Sequence, residues 1–189
     1  MRLRDPALQC VDSQRANKYT VVDGYRRSDN IFERMATMSL YAPDRHDIVI
    51  QNPDGQFVAV VDVKSYKNLT PEIATALRRT RMLHTLLPQT LYYLLVSQEK
   101  GFLWKNAWRE GPETPPTYEF PMDSVITRYR KSKQEEKPFG RELESLALRW
   151  LHDLADAKVW ANEEPEKTLA LSGFTDSVKE GMVMVEVSE

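Results

Sequence analysis

The stretch Asp47-Ile48-Val49-Ile50-Gln51-Asn52-Pro53-Asp54-Gly55-Gln56-Phe57-Val58-Ala59-Val60-Val61-Asp62-Val63-Lys64 decides how this chain folds. Two runs rich in β-branched residues flank an Asp-Gly pair, a strong hairpin signal. The second run is apolar at successive positions, as in a strand covered on both faces of a sheet. With Asp54 and Gly55 as the two central turn residues, Pro53 pairs with Gln56 and Asn52 with Phe57. Continued along the strands, that register sets Asp47 opposite Asp62. Opposed Cβ atoms lie about 4.5–5.5 Å apart, and two carboxylates so placed repel unless a cation joins them. Lys64, two residues beyond Asp62, projects from the same face. Two carboxylates and an ammonium are thus expected to converge.

Working outward, Ser28 caps an expected short helix, Asp29 to Leu40, closed by Pro43 and Asp44. After the hairpin, Thr70-Pro71-Glu72 opens a helix whose stripe is read as Ile73, Ala76, Leu77, Leu83 and Leu87, stopped by Pro88. Leu91–Ser97 and Gly101–Trp104 read as strands, and Arg109 to Pro121 as a loop. Gly140 to Ala157 reads as a helix with Leu143, Leu146, Ala147, Trp150, Leu151 and Leu154 on its buried side. Met182 to Val187 reads as a last strand. Helix, hairpin, helix, strand, strand, helix describes a mixed sheet covered by helices.

The 189 residues suffice for a sizeable core, and 41% of them are hydrophobic. The net charge of −2 provides no global basic field, so nucleic acid would need a local patch. The single Cys10 forms no intrachain disulfide, and His46, His84 and His152 lack zinc-ligand spacing. Neither a signal peptide over Met1 to Tyr19 nor a membrane span is expected, which favours a cytoplasmic protein without a membrane partner.

Three segments fit Asp/Glu-x-Lys: Asp62-Val63-Lys64, Glu135-Glu136-Lys137 and Asp156-Ala157-Lys158. The tripeptide alone decides nothing. The second lies in a charged run, and the third ends a helix where lysine suits the dipole. Only Asp62 and Lys64 end an apolar strand, where charges are costly unless paired or bound to metal. Oxygen donors suit Mg²⁺ or Mn²⁺. A structural ion pair at the strand end is the competing account. Lys67, Arg78, Arg79 and Arg81 form a candidate phosphate strip, against ordinary exposed helix arginines.

Asp47-Ile48-Val49-Ile50, Asp54-Gly55 and Val60-Val61-Asp62-Val63-Lys64 together resemble the core of the PD-(D/E)XK nuclease superfamily. The helix around Leu77-Arg78-Arg79 and the strands Tyr92-Tyr93-Leu94-Leu95-Val96 and Phe102-Leu103-Trp104 are similar to a group of bacterial restriction-endonuclease-like proteins. The resemblance covers Ile31 to Lys105. It implies an α/β fold, a restriction-endonuclease-like mixed β-sheet flanked by helices, here with a C-terminal helix and strand extension. The chain as a whole is read as a segment 1–27, a nuclease-like core 28–108, a loop 109–121 and an extension 122–189, helical with a terminal strand and expected to pack on the same domain. The resemblance further implies metal-dependent hydrolysis of DNA, with Asp47 and Asp62 as ligands, the Val63 carbonyl as a third, and Lys64 as the catalytic lysine. Glu33 is a possible additional acid from the preceding helix, weighed against an exposed helix glutamate. The chain departs from the pattern in two ways. Its literal Pro-Asp pair is Pro53-Asp54, in the turn, and Asp62 replaces the commoner glutamate. A non-catalytic nucleic-acid or protein-interaction module of the same fold is the alternative. A homo-oligomer or a partner subunit docking on the last strand is a further one.

Overall fold

A computed structural model describes residues 47–84, 89–130, 137–158 and 162–185. The expected helix from Asp29 to Leu40, with Glu33, and also His46, Leu87 and Trp160, lie outside them.

The hairpin forms as β1 (Ile48–Gln51) and β2 (Phe57–Val63). Its tip differs from the two-residue turn. The Gly55 N–H donates to the Asn52 carbonyl at 2.9 Å, and the Asn52 N–H to the Gln56 carbonyl at 2.9 Å, so Pro53, Asp54 and Gly55 make a three-residue loop. Gly55 has φ +77°, the left-handed conformation that such a loop demands and glycine adopts without a Cβ clash. The Asn52 side chain also accepts from the Gln56 N–H at 2.9 Å. The longer loop shifts the pairing by one residue, to Gln51 with Phe57. An irregularity between Gln51 and Ile50 shifts it back, giving Ile50–Ala59, Val49–Val60 and Ile48–Val61. Val58 is the extra residue of this bulge. The two departures cancel, so the register expected near Asp47 and Asp62 is the one found.

From β2 the chain crosses through α1 (Pro71–His84) to β3 (Tyr92–Val96), parallel to β2 with Asp62 beside Leu95. A parallel pair requires such a crossover, and a helix supplies it. Strand β4 (Lys100–Lys105) returns antiparallel, and β5 (Tyr118–Pro121) adds to it. Strand β6 (Met182–Val185) pairs with the outer edge of β1. The mixed sheet runs β5-β4-β3-β2-β1-β6, and helices flank it: an α/β architecture.

Strand β5 falls inside the expected loop. At a sheet edge, a terminal proline costs no ladder bond, so Pro121 does not prevent pairing. The helices α2 (Asp123–Tyr129), α4 (Glu166–Ser172) and α5 (Phe174–Val178) were not expected; each is shorter than the repeat needed to show a stripe. Helix α3 (Arg141–Ala155) buries the whole stripe read from its sequence.

The two faces of the sheet carry separate cores. Ile48, Ile50, Val61, Val63, Tyr92, Leu94 and Phe120 pack with α2 to α5 around Trp150. Val60, Tyr93, Leu95, Phe102 and Trp104 pack under α1. Trp108 is about half exposed. Glu166 is fully buried, where it accepts from Arg128 at 2.5 Å and from the Trp150 indole at 3.1 Å. Among the described residues no helix is long and apolar enough to cross a membrane.

Candidate functional site

Alternation along β2 turns Val60 and then Asp62 toward α1, while Val61 and Val63 face the other core. Asp62 therefore sits at the carboxyl end of β2, beside its parallel neighbour β3. In open α/β sheets that end is where ligands bind. Asp47 precedes antiparallel β1 and arrives at the same end. Its Oδ2 accepts from the Val63 N–H at 2.5 Å and from the Lys64 ammonium at 3.4 Å. Asp47, Asp62 and Lys64 are thus brought together at the strand end, one step beyond the Ile48–Val61 pair.

Asp62 is almost fully buried. Arg81 reaches down from α1 and forks onto its carboxylate, Nε to Oδ2 at 3.0 Å and Nη2 to Oδ1 at 2.9 Å. The Tyr93 hydroxyl, from β3, donates to Oδ2 at 2.6 Å. Burial alone would favour the neutral acid, but the Arg81 hydrogen bonds and charge outweigh it and hold Asp62 below the ordinary carboxylate range. Burial and the neighbouring Asp62 carboxylate push the Tyr93 hydroxyl well up, so it remains a donor. Asp47 goes the other way. Burial raises its pKa, the Asp62 charge adds to that, and Lys64 and the Val63 N–H only partly oppose it. The two carboxylates therefore feel each other, as the sequence register requires.

The candidate arginine strip is taken apart by the fold. Ala74, Arg78 and Arg81 lie along one side of α1 at helical spacing and point at the sheet. Arg78 is fully buried. It donates to the carbonyls of Ala107 at 2.8 Å, Gly111 at 2.9 Å and Glu110 at 3.3 Å, and it lies over the Trp104 ring at 5.5 Å. It clamps the 107–111 loop and is closed off from a phosphate. Arg79 pairs on the surface with Glu113 at 3.0 Å, and Lys67 is exposed. The apolar stripe assigned to this helix holds at Ile73 and Leu77, which pack against the core, and fails toward its end. Leu83 is 68% exposed because the inward positions belong to the arginines.

A cavity of about 570 Å³ opens beside Asp47 and Lys64, with Arg81, Arg141, Glu144 and Ser145 on its walls. Arg81 comes from α1, and the last three come from α3. Their position follows from one contact: the Gly140 N–H, at the start of α3, donates to Ser65 Oγ at 2.7 Å. Ser65 directly follows Lys64, so the first turn of α3 is tied to the end of β2.

No family model matches the chain, and no curated protein or solved structure does.

The donor chemistry can be tested against a divalent cation. Among the described residues no group of three His, Cys, Asp or Glu side chains converges on one point. The charges of Asp47 and Asp62 lie near enough to oppose each other, and a cation held between them would relieve that repulsion. Backbone oxygen and water complete such a site for Mg²⁺, which commonly binds through one or two carboxylates. The set fits a hard divalent cation on one condition: the Arg81 fork must yield an oxygen of Asp62.

Sequence reasoning missed Tyr93 as a partner of Asp62 and Arg141 and Glu144 as cavity walls. Alternation along β3 allowed only one of Tyr92 and Tyr93 to face this side. For α3, no local signal foretold the Gly140–Ser65 contact.

Proposed function

We propose that this chain is a divalent-cation-dependent phosphodiesterase acting on DNA, built on a restriction-endonuclease-like core of the PD-(D/E)XK kind. The observation that carries the reading is the convergence of Asp47, Asp62 and Lys64 at the carboxyl end of β2, beside a cavity walled by cationic side chains. The order of hairpin, crossover helix and parallel strand, with the acidic pair on the hairpin, supports it. Mg²⁺ or Mn²⁺ would supply Lewis acidity, polarising a phosphoryl oxygen and making water a better nucleophile. Asp47 and Asp62 would hold it, with the Val63 carbonyl. Lys64 stands next to Asp47, where its ammonium can hold the attacking water or stabilise charge growing on the phosphate. Arg141, on the far wall, is suited to a flanking phosphate.

The second reading is a non-catalytic module that keeps this fold. Its specific support is the Arg81–Asp62 pair, which already neutralises the strand-end acid from within the chain. One experiment separates the two: incubate the protein with plasmid, linear and single-stranded DNA in Mg²⁺, Mn²⁺ or EDTA, beside Lys64→Ala. Metal-dependent cleavage that Lys64→Ala lowers by about 10²–10⁴ establishes the enzyme. No cleavage of any substrate in either metal rejects it.

A further inference from the structure

We propose that Arg81 is the internal counter-ion of the metal site: it competes with the divalent cation for Asp62, so cation binding and the release of Arg81 are a single event. The inference rests on the metal-dependent reading above and adds how that site is regulated.

Three observations carry it. First, the fork is complete. Arg81 Nε and Nη2 engage both oxygens of Asp62, at 3.0 and 2.9 Å, in the bidentate geometry that gives arginine–carboxylate pairs their strength. A cation that uses Asp62 must compete for its oxygens with that fork and with the guanidinium charge beside them. Second, the pair is shielded. The Arg81 side chain is 10% exposed and Asp62 2%, so water neither screens the attraction nor replaces the lost bonds cheaply. The other ion pair of the site is much weaker. Lys64 stands 3.4 Å from Asp47, with side chains 33% and 18% exposed. Third, the local charge is already balanced, with Asp47 and Asp62 against Lys64 and Arg81. A divalent ion added to that set leaves two excess positive charges, and the departure of one cation halves that excess. Arg81 has somewhere to go, because it also borders the cavity.

The hydrogen bond from Tyr93 fits this role. It holds Asp62 Oδ2 from the β3 side, so the carboxylate stays in place when the arginine leaves. The site is thereby built to remain shut at low cation concentration and to open above a threshold set by Arg81.

The test is Mn²⁺ affinity, measured by titration calorimetry on metal-free protein, for wild type, Arg81→Gln, Arg81→Lys and Lys64→Ala. Arg81→Gln is expected to bind Mn²⁺ at least tenfold more tightly, about 1.4 kcal/mol. Arg81→Lys, which keeps a charge but loses the fork, falls between. Lys64→Ala gains less than Arg81→Gln, since its ion pair is longer and wetter. Asp62→Asn combined with Arg81→Gln loses the gain. If Arg81→Gln does not fold without metal, Arg81→Lys carries the comparison, with at least a threefold gain expected. Wild type that binds Mn²⁺ while neither Arg81 variant binds it more tightly overturns the counter-ion role and leaves the metal site standing. Failure of wild type and all variants to bind Mn²⁺ overturns the metal reading and the counter-ion role together.

Discussion

Replacing Asp62 with asparagine removes the charge that three donors converge on, and its cost follows from the geometry. Asparagine keeps the size of the side chain and one acceptor oxygen, so no cavity opens. What is lost is the partner of a guanidinium whose side chain is 10% exposed. Removing one member of a buried ion pair typically costs about 3–5 kcal/mol, because the other charge stays behind undercompensated. Urea unfolding at pH 7 in EDTA is expected to show that loss, read as a lower midpoint at unchanged slope. The pH dependence adds a second check. Asp62 is held below its ordinary carboxylate value by Arg81. Its contribution is therefore fully present above the unfolded value, near 3.9, and is lost as pH falls through the lower folded value. Wild type and Asp62→Asn are expected to differ by a constant amount from pH 5 to 8 and to converge below about pH 4. A difference under about 1 kcal/mol at pH 7, the size of an exposed pair, would refute the claim that this ion pair is shielded.

Other consequences are equally direct. Tyr93→Phe removes a buried donor from Asp62 and is expected to cost about 1–3 kcal/mol, read from the same urea curves. Arg78→Ala strands three loop carbonyls and is expected to cost about 3 kcal/mol while leaving the salt dependence of DNA binding unchanged; a flatter slope would show that Arg78 does reach phosphate. Asp47→Asn relieves carboxylate repulsion, so it is expected to raise the melting temperature of metal-free protein, while abolishing the stabilisation that Mn²⁺ gives wild type. Gly101→Ala would set a Cβ 2.0 Å from the Phe120 ring, and thermal unfolding is expected to register about 1–3 kcal/mol of strain.

How much of this was legible in the sequence depends on how local the cause was. The hairpin, α3 and the strands around Leu94 and Leu103 announce themselves by short-range patterning, and there the structure follows it. The register that joins Asp47 and Asp62 was read from a two-residue turn; the chain makes a three-residue loop instead, and the register holds only because the bulge at Val58 shifts it back. Helix α1 was read only in part: Ile73 and Leu77 do pack on the core beneath it, but pattern reasoning gives the remaining inward positions to leucine. Here Arg78 and Arg81 occupy them, stabilised by partners on the 107–111 loop and on β2 that no window of α1 contains. Glu166 escaped for the same reason: its partners Arg128 and Trp150 belong to two other helices. Buried charge is legible only together with its partner, and the partner is usually distant in sequence.

The extra residue at Val58 has a consequence for how this hairpin tolerates changes in length. A chain lacking Val58 would still match Gln51 with Phe57 and Ile50 with Ala59, now on an unbroken ladder. A chain that kept Val58 but absorbed it into regular pairing would slide Asp47 to face Val61, turning every side chain of one strand out of phase with its core. Deletion at this position is thus harmless to the acidic pair, whereas silent absorption of the same residue is ruinous. The hairpin can gain or lose a residue at its tip without moving Asp47 from Asp62, provided the change is taken up between the loop and Ala59.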